Sequence, residues 1–367
     1  MKIAMIGQKG IPAVSGGVER HVEEISRRLV SLGHEVTVYY RGYYAEISEE
    51  MYHGVKLKYI PTVKSKNLDA ITHTFLCSID SIFKDYDIVH YHAIGPATLS
   101  FIPRLTGKKV FVTVHGLDWM RAKWGKLAKA YLKAGERCAC MFPHETIVVS
   151  RTLQDYYKEK YNRNVHFIPN GVVPSQFEKA GEIKKWGLGE NNYILFLARL
   201  TPEKGCHHLI KAYKELKTDK KLVIAGGSSN TNGYVSELIS HRSENIIFTG
   251  HVQGKVIREL YSNALLYVLP SEIEGLPISL LEAMSYGNVC LVSDIPENIE
   301  VIKKDEMYGY LFKNGDYKDL SKQMYKILSN IESLKTISLK VRDEIINNYD
   351  WDSITYQTLS FYEKILA

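Results

Sequence analysis

Residues 2–40 read KIAMIGQKGIPAVSGGVERHVEEISRRLVSLGHEVTVYY, and this stretch decides the fold class. The apolar run Lys2–Ile6 predicts a buried strand, and a glycine-rich loop follows it at residues 7–17. Apolar side chains then recur at helical spacing over Glu19–Leu32, and Glu35–Tyr40 predicts the next strand. Strands that alternate with helices form parallel sheets covered on both faces, so the stretch predicts an α/β protein.

The same alternation runs along the rest of the chain and restarts once. The first part contains a long helical pattern from Trp119 to Cys140 and strands at Ile88–Tyr91, Lys109–Val114 and Thr146–Val149. After Pro169-Asn170-Gly171, an expected turn, strands are predicted at Tyr193–Leu197, Leu222–Ala225, Asn245–Phe248, Ala264–Leu269 and Val289–Val292. A last helix is predicted at Ser353–Leu366, with Asp352 as its cap. We therefore expect two doubly wound domains, with ligands beyond the carboxyl ends of their strands, in the cleft between domains that face each other.

Composition and charge exclude several classes of protein. No stretch reaches the roughly 18–20 apolar residues of a membrane span, and the apolar run at the start is too short for a signal peptide. The five cysteines lack metal-ligand spacing and predict reduced thiols of a cytoplasmic protein. The net charge of +6 divides into +8 over residues 1–170 (24 basic, 16 acidic) and −2 over 171–367 (23 basic, 25 acidic). This mild, one-sided basicity argues against nucleic acid and favours an anionic membrane or acceptor as a partner.

Glycines after the first strand are candidates for close contact with a ligand. Gly16 and Gly17 stand where a helix begins, and there backbone N–H groups can approach a phosphate or a sugar. The spacing is neither the G-x-G-x-x-G dinucleotide fingerprint nor a G-x-x-x-x-G-K-[ST] loop. A plain glycine-rich turn between strand and helix remains the alternative.

A second candidate site follows the strand that ends at Leu269. The sequence Pro270–Met284 places Glu274 in a loop, Pro277 in the first helical turn and Glu282 within the helix. A helix N-terminus after Gly275 suits a diphosphate, and a carboxylate on each side can accept hydrogen bonds from sugar hydroxyls. Two glutamates eight apart are a weak signal alone, but their position after a strand makes it stronger.

Two cationic residues and a histidine complete the candidates. Arg199 and Lys204 follow the first strand of the second domain and can neutralise a diphosphate leaving group. His115 stands directly after a strand ending at Val114. The alternatives are a solvated pair of loop charges and a structural histidine.

A metal site is not expected from the spacing of ligand residues. His90 and His92 share a strand face, but no carboxylate or cysteine completes a ligand set by spacing. Asp85-Tyr-Asp87 precedes a strand and Asp350-Trp-Asp352 opens a helix, so both are assigned to structure.

Together these pieces resemble the retaining family-four glycosyltransferases of the GT-B fold, over essentially the whole chain. The carrying segments are Gly16–His21, Asp87–His90, His115-Gly116, Val148–Ser150, Ile168–Val172, Arg199 with Pro202–Gly205, and Glu274–Met284. The resemblance implies an acceptor-side domain at residues 1–168 and a donor-binding domain at 175–349, facing across a cleft. It also implies that residues 350–367 form a helix that crosses back to the first domain. Val173-Pro174 departs from the acidic residue common in the family and weakens any polar role at this hinge.

The resemblance also implies roles for the candidate residues. Arg199 and Lys204 would hold the donor diphosphate, Glu274 the sugar hydroxyls and Glu282 the ribose. The loop and helix start at Gly275, Leu276, Pro277 and Ile278 would meet the phosphate or sugar, while Gly16, Gly17 and His115 approach from the first domain. Glu274, Lys204, Arg199 and His115 are the catalytic candidates. The family generally needs no metal or other cofactor, and its favoured mechanism is front-face attack by the acceptor hydroxyl.

The expected activity is transfer of a hexose from a nucleotide-sugar, best a UDP-sugar, to a saccharide or lipid-linked saccharide in surface polysaccharide or glycolipid biosynthesis of bacterial type. The alternatives are a nucleotide-sugar epimerase of the same fold and a non-catalytic sugar-binding protein. The segment Trp119–Lys133 carries Met120, Trp124, Leu127 and Tyr131 on one helical face among basic residues. It is either a core helix with a solvated basic face or a contact with an anionic membrane. The latter reading places the protein peripherally on the inner face of the membrane.

Overall fold

The computed structural model describes residues 1–44, 50–65, 68–228, 231–303, 308–330 and 341–367. The chain forms two compact units, each built on its own largely parallel sheet. Unit 1 comprises Met1–Gly171 and Trp351–Ala367, and unit 2 comprises Val172–Asp350. The α/β class predicted from the alternating pattern is confirmed. Within the described ranges, none of the helices combines the length and apolar character that a membrane span requires.

Fourteen strands form the two sheets within the described ranges. In unit 1 they are β1 Lys2–Ile6, β2 Glu35–Tyr40, β3 Met51–Tyr52, β4 Val55–Tyr59, β5 Ile88–His92, β6 Lys109–Val114, β7 Glu145–Val148 and β8 His166–Phe167. In unit 2 they are β9 Tyr193–Leu197, β10 Lys221–Ala225, β11 Ile246–Gly250, β12 Leu266–Leu269, β13 Cys290–Ser293 and β14 Tyr310–Phe312. The strand orders are β3-β4-β2-β1-β5-β6-β7-β8 and β11-β10-β9-β12-β13-β14. Only β3 and β4 pair antiparallel among these strands.

Helices connect the strands. Those in the first part of the chain are α1 Gly17–Ser31, α2 Asp69–Ile82, α3 Ile94–Ala97, α4 Phe101–Arg104, α5 Lys126–Met141 and α6 Arg151–Tyr161. The later ones are α7 Cys206–Glu215, α8 Asn232–Ile239, α9 Lys255–Asn263, α10 Ile278–Ser285, α11 Pro296–Ile302, α12 Tyr317–Leu328 and α13 Trp351–Leu366. Residues 341–348 are also helical, and 3-10 turns occupy Asp118–Met120, Glu182–Trp186 and Pro202–Lys204.

Apolar side chains of the strands and of the helix faces pack into a core cluster in each unit. In unit 1 the core joins Ile3 and Val38 of the sheet to Val22 of α1 and to Trp351 and Tyr362 of α13. In unit 2 it joins strands β9, β10, β12 and β13 to helices α7 and α12. The periodicities of two and 3.6 residues in the sequence are the signature of these buried faces.

The long helix predicted from Trp119 to Cys140 is wrong in its first part. A 3-10 turn covers Asp118–Met120, and α5 begins at Lys126, after Gly125 in an extended conformation. The indole N–H of Trp119 donates a hydrogen bond to the buried carboxylate of Glu136, and this contact holds Trp119 outside helix α5. Trp119–Lys133 therefore does not present one helical face.

Helix α13 begins two residues earlier than predicted, at Trp351. Asp352 is consequently not its cap but a first-turn residue, and its carboxylate pairs with Arg28 of α1 at 2.5 Å. The other Asp-x-Asp sequence also has a structural use. Asp85 pairs with the Lys2 ammonium at 2.7 Å, and Asp87 accepts the Lys2 backbone N–H at 2.7 Å, which anchors β1.

Candidate functional site

In unit 2, the carboxyl ends of β9 and β12 are neighbours in the sheet, so the loops after them meet. Lys204 follows β9 and Glu274 follows β12. The Lys204 ammonium donates a hydrogen bond to Glu274 Oε1, and the two side chains are only 13% and 7% exposed. Two candidates that stand 70 positions apart in the sequence therefore form one nearly buried ion pair.

Close backbone packing fixes this pair. Gly205 ends the 3-10 turn with φ +66°, and a Cβ atom there would lie 1.9 Å from the carbonyl oxygen of Pro270. The two loops are also tied by a hydrogen bond from the Glu272 N–H to the Glu203 carbonyl, at 2.9 Å. Only glycine allows this approach, and the approach sets the position from which Lys204 reaches Glu274.

Helix α10 opens beside this loop. It begins at Ile278, and Pro277 is its N-cap rather than part of its first turn. The Pro277 carbonyl accepts N–H groups of Leu280 and Leu281 at 3.0 and 3.2 Å. The first N–H groups of a helix have no intrahelical acceptor, so the start of α10 offers partial positive charge directly after Gly275 and Leu276.

Glu282 lies on α10 and is oriented by tyrosines that sequence analysis did not name. The Tyr261 hydroxyl donates to Glu282 Oε2 at 3.3 Å, and the Tyr261 ring stacks on Tyr286 with centroids 5.4 Å apart. Burial raises the pKa of the Tyr261 hydroxyl well above its ordinary value, so it remains a donor at neutral pH. The Tyr261 hydroxyl thus orients the carboxyl group of Glu282.

Further polar groups gather at the same edge. Arg199 lies half-buried just beyond β9. Among the described residues, Thr201 Oγ1, Glu203 Oε2 and Ser271 Oγ are buried and find no hydrogen-bond partner. Their position directly after β9 and β12 was the only available sequence signal. Buried polar atoms of this kind are candidates for binding a ligand or water.

Another carboxyl group missed from the sequence lies on α11, which follows β13. Burial, and then repulsion from Glu274 and Glu300, raises the pKa of Glu297 to about 7. Strand β13 pairs with β12, so α11 begins at the same edge of the sheet as Glu274. Near neutral pH Glu297 therefore exchanges a proton close to the Lys204–Glu274 pair.

The corresponding edge of unit 1 gathers three histidines, here called the histidine cluster: His21, His92 and His115. Strands β1, β5 and β6 are neighbours; His92 ends β5, His115 follows β6, and His21 lies on α1 after β1. His92 Nδ1 and His115 Nε2 are 3.2 Å apart, and the His21 and His115 ring centroids are 4.7 Å apart. The sequence pattern indicates only His115 as a site residue, because the three histidines come from separate elements.

The histidine cluster carries no positive charge at neutral pH. Burial lowers the pKa of His21 to about 4 and lowers the pKa values of His92 and His115 well below their ordinary value. His21 Nδ1 is bonded to Asn170 Oδ1 at 3.0 Å, and Asn170 is only 4% exposed. Asn170, which the sequence places in an expected turn, therefore makes a buried polar contact with α1.

The other candidates of unit 1 lie at the start of α1 and on β5. Gly16 is the N-cap of α1 with φ +106°, and a Cβ there would lie 2.2 Å from Glu19 Oε2. Gly17 is the first residue of α1. His90 stacks on His92, as their shared face predicts. Its two ring nitrogens, however, are hydrogen-bonded to the hydroxyl groups of Tyr362 and Thr113. His90 is thus a structural residue.

Two family models cover nearly the whole chain. Glycosyltransferase Family 4 matches residues 15–176, and Glycosyl transferases group 1 matches residues 178–344. The chain is a family-four glycosyltransferase. This glycosyltransferase is 28% identical to an uncharacterised glycosyltransferase of Methanocaldococcus jannaschii, over 99% of this chain and 98% of that one. It is 26% identical, over 81% of both chains, to the UDP-Gal:alpha-D-GlcNAc-diphosphoundecaprenol alpha-1,3-galactosyltransferase of Escherichia coli.

A solved structure shows the same fold. The Anabaena protein HepE, in complex with UDP and glucose, superposes with a TM-score of 0.83 at 17% identity, covering 99% of this chain and 100% of that one. The predicted GT-B fold of this glycosyltransferase is thereby confirmed. Its candidate residues divide between the units: Arg199, Lys204, Glu274–Ile278 and Glu282 in unit 2, and Gly16, Gly17 and His115 in unit 1.

Proposed function

We propose that this glycosyltransferase moves a hexose from a UDP-sugar to a saccharide or lipid-linked saccharide acceptor, with retention of anomeric configuration and without a metal. The observation that carries the proposal is the Lys204–Glu274 pair beside the start of α10. A cation, a carboxylate and a helix N-terminus at one sheet edge are the groups that a sugar diphosphate needs. Without a ligand, burying the Lys204–Glu274 pair costs the hydration of both charges. A bound diphosphate would give the Lys204 ammonium a second anion to neutralise.

Each candidate residue then has a role. Lys204 and Arg199 neutralise the charge that develops on the diphosphate as the glycosidic bond breaks. Glu274 accepts hydrogen bonds from hydroxyls of the donor sugar, and Glu282 accepts them from the ribose. The start of α10, from Gly275 to Ile278, binds the phosphate or the sugar through its backbone.

Unit 1 contributes neutral groups. Gly16 and Gly17 allow the backbone to approach the substrate closely, and His115 is a neutral hydrogen-bonding partner for a sugar hydroxyl. In the transfer step the acceptor oxygen bonds to the anomeric carbon on the face from which the diphosphate departs. The leaving phosphate oxygen takes the proton of the acceptor hydroxyl, so no carboxylate nucleophile is required.

The choice of donor and acceptor is supported by the relatives. The Escherichia coli relative is by name a UDP-galactose transferase that acts on an N-acetylglucosamine linked to a lipid diphosphate. HepE was solved with UDP and glucose. Surface polysaccharide or glycolipid assembly is the setting that fits a UDP-hexose donor and a lipid-linked acceptor.

Ligand-dependent melting tests the donor assignment. Purified protein is heated with UDP, GDP, ADP and their hexose derivatives, and a uridine ligand should raise Tm most because it binds the folded state. Incubation with the donor alone separates transfer from epimerisation, since an epimerase changes the sugar without an acceptor. A larger shift with another nucleotide overturns the UDP assignment, and conversion without acceptor overturns the transferase.

A peripheral position on the inner face of the membrane is part of the proposal and now rests on a smaller surface. Residues 101–133 contain eight basic side chains and one acidic one, and Leu127 at the start of α5 is 90% exposed. Tyr131 points inward, where its hydroxyl bonds to the Gly95 carbonyl at 3.1 Å. The contact would therefore use Leu127 and the lysines around it, not a continuous amphipathic helix.

Cosedimentation with anionic and neutral liposomes tests the membrane contact. Binding to anionic vesicles should weaken severalfold in Leu127→Glu, because the substitution adds repulsion and removes apolar burial. Tyr325→Glu is the matched control, since Tyr325 is 62% exposed on unit 2. Equal binding by the two variants, or no binding by the native chain, overturns this part of the proposal.

A further inference from the structure

The histidine cluster offers a set of three ring nitrogen atoms, of which the proposed transfer reaction uses only that of His115. His21, His92 and His115 each present a ring nitrogen, and these three atoms all lie within 4.8 Å of one another. His92 Nδ1 and His115 Nε2 are 3.2 Å apart. Imidazole nitrogens bound tetrahedrally to one Zn²⁺ at 2.0–2.1 Å lie ~3.3 Å apart, so two of the three already have ligand spacing.

Hydrogen bonds around the cluster fix which nitrogens carry lone pairs. His21 Nδ1 donates to Asn170 Oδ1 at 3.0 Å, which leaves the lone pair on Nε2. His92 Nε2 lies 3.5 Å from the Met5 thioether sulfur, which can only accept, so Nε2 bears the proton and Nδ1 the lone pair. His115 Nε2 therefore carries the proton of the hydrogen bond to His92 Nδ1. If that proton moves to His115 Nδ1, both facing nitrogens present lone pairs and a cation can bind between them.

The surroundings resemble those of a built metal site. A metal-binding histidine commonly donates its second ring N–H to a fixed acceptor, and Asn170, 4% exposed, gives His21 that partner. The Trp351 ring lies edge-on to His21, with centroids 5.6 Å apart, and limits movement of the ring. His21 and His92 are 2% and 1% exposed, whereas His115 is only partly buried and is the member of the cluster that solvent reaches.

We propose that the histidine cluster binds one divalent transition-metal ion of the zinc class through His21 Nε2, His92 Nδ1 and His115 Nε2, with a fourth position open to water. Three imidazoles select zinc, cobalt, nickel or copper over magnesium and calcium, which prefer oxygen ligands. No redox step is involved. The His115 proton moves between its own two nitrogens, so metal entry does not change the charge of the three rings.

The ion is an inhibitor of transfer, and this consequence alone rests on the proposed function. His115 bound to a metal cannot make a hydrogen bond to a sugar through the same nitrogen. Added Zn²⁺ should therefore lower turnover, and a chelator should restore it. Metal-independent transfer and a metal-binding cluster are thus compatible.

Direct binding tests the site without reference to activity. Chelator-treated protein is titrated with Co²⁺, whose four-coordinate complexes absorb intensely in the visible, and Zn²⁺ is then added to displace it. One equivalent should bind. His92→Gln should abolish the band, and Asn170→Ala, which keeps all three ligands, should weaken binding about 10–100-fold. His53→Gln, on an exposed histidine, is the matched control.

A second group of potential ligands must be separated from the first. His207, His208 and Glu272 of unit 2 also bring ligand atoms within 4.8 Å of one another. The titration is therefore repeated in His208→Ala, where the cobalt band should persist. Loss of the band in His208→Ala, its persistence in folded His92→Gln, or no band in the native chain overturns the proposed site. Circular dichroism checks folding, and His115→Gln replaces His92→Gln if the latter fails to fold.

Turnover with and without Zn²⁺ tests the inhibition. Native protein should slow severalfold with Zn²⁺ and recover with chelator, while His92→Gln should be insensitive. Unchanged turnover in native protein that demonstrably binds the ion overturns the inhibition. Absence of any turnover in metal-free native protein contradicts the proposed function instead, and leaves the cobalt titration as the test of the site.

Discussion

The edge at the carboxyl ends of the strands carries charged groups in unit 2 and neutral groups in unit 1. In unit 2 it holds the Lys204–Glu274 ion pair, which is almost buried. In unit 1 it holds the histidine cluster, which burial keeps neutral. Burying an ion pair costs more free energy than burying neutral imidazoles, because both ions lose hydration. The charged edge is therefore the stronger candidate for an anionic ligand, and the neutral edge suits hydroxyl groups.

Removing the cation of the charged edge should have the largest effect. In the proposed mechanism the Lys204 ammonium neutralises the leaving diphosphate, so we expect Lys204→Ala to lower the transfer rate about 10²–10³-fold. The measurement is turnover at saturating donor, with Tm recorded to confirm folding. Lys220→Ala removes a lysine paired with Asp219 at the surface and should change little. Native-like turnover in Lys204→Ala would mean that the charged edge is not the reacting site.

A smaller effect, on stability, is expected when the close approach of the Gly205 and Pro270 backbones is disturbed. A Cβ at Gly205 would lie 1.9 Å from the Pro270 carbonyl, so Gly205→Ala should lower the free energy of unfolding by about 3 kcal/mol. Urea unfolding measures the loss. The matched control is Gly233→Ala on α8, where a Cβ would meet no atom within 4 Å and alanine favours the helix. Equal stability of the two variants would show that the loops can separate freely.

The pH dependence of stability should distinguish the edges further. The pKa of Glu297 is about 7 in the folded protein and near 4.5 in the unfolded chain. The contribution of Glu297 to the free energy of unfolding is complete below pH 4.5 and is lost as the pH rises through 7. The reason is that Glu297 releases its proton more readily in the unfolded chain than in the folded protein. Glu297→Gln should remove this loss, about 2 kcal/mol at pH 8 and little at pH 4.5. Unfolding curves of both proteins at the two pH values test it; equal differences at both would contradict the assignment.

The neutral edge should respond in the opposite direction and more weakly. The pKa of His21 is lowered to about 4, so its stabilising contribution is present above pH 6.5 and is lost as the pH falls below it. Between pH 7 and 5.5, His21→Gln should remove about 1 kcal/mol of acid sensitivity. Hydrogen exchange resolved by unit measures it, with His53→Gln as the control. Acid sensitivity confined to unit 2 would exclude the cluster as its source.

The regular elements could be predicted because buried faces leave a period in the sequence. The strands Lys2–Ile6, Glu35–Tyr40 and Lys109–Val114 were predicted with the bounds that the structure gives. The two-residue strands β3 and β8 have too few residues for a period, and they depend on pairing with β4 and β7. Short strands of this kind are made by tertiary contacts.

The helix over Trp119–Cys140 shows how periodicity can mislead. Apolar residues continue at helical spacing through the 3-10 turn. The hydrogen bond from Trp119 to Glu136 nevertheless holds this turn in a position separate from α5. That bond joins residues 17 positions apart and depends on a buried carboxylate. Local pattern cannot register such a contact.

The candidate site could be proposed from the sequence where one segment carries several of its groups. The motif Glu274–Met284 contains two carboxylates and a helix start, and the structure places Glu274 against Lys204. The histidine cluster was missed because its members come from α1, β5 and the loop after β6. Asn170 was missed for the same reason, since its partner His21 is 149 positions away. Residues brought together by the sheet order cannot be grouped before that order is known.

The path of the chain has a consequence for the order in which the protein is made. Unit 1 is discontinuous: its last helix, α13, supplies Trp351 and Tyr362 to the core, and Trp351 packs directly on Gly171. Unit 2 is one uninterrupted segment, Val172–Asp350. During synthesis, therefore, the unit encoded second can complete its core first. The unit encoded first cannot complete its core, and keeps part of its apolar surface uncovered, until α13 has been synthesised.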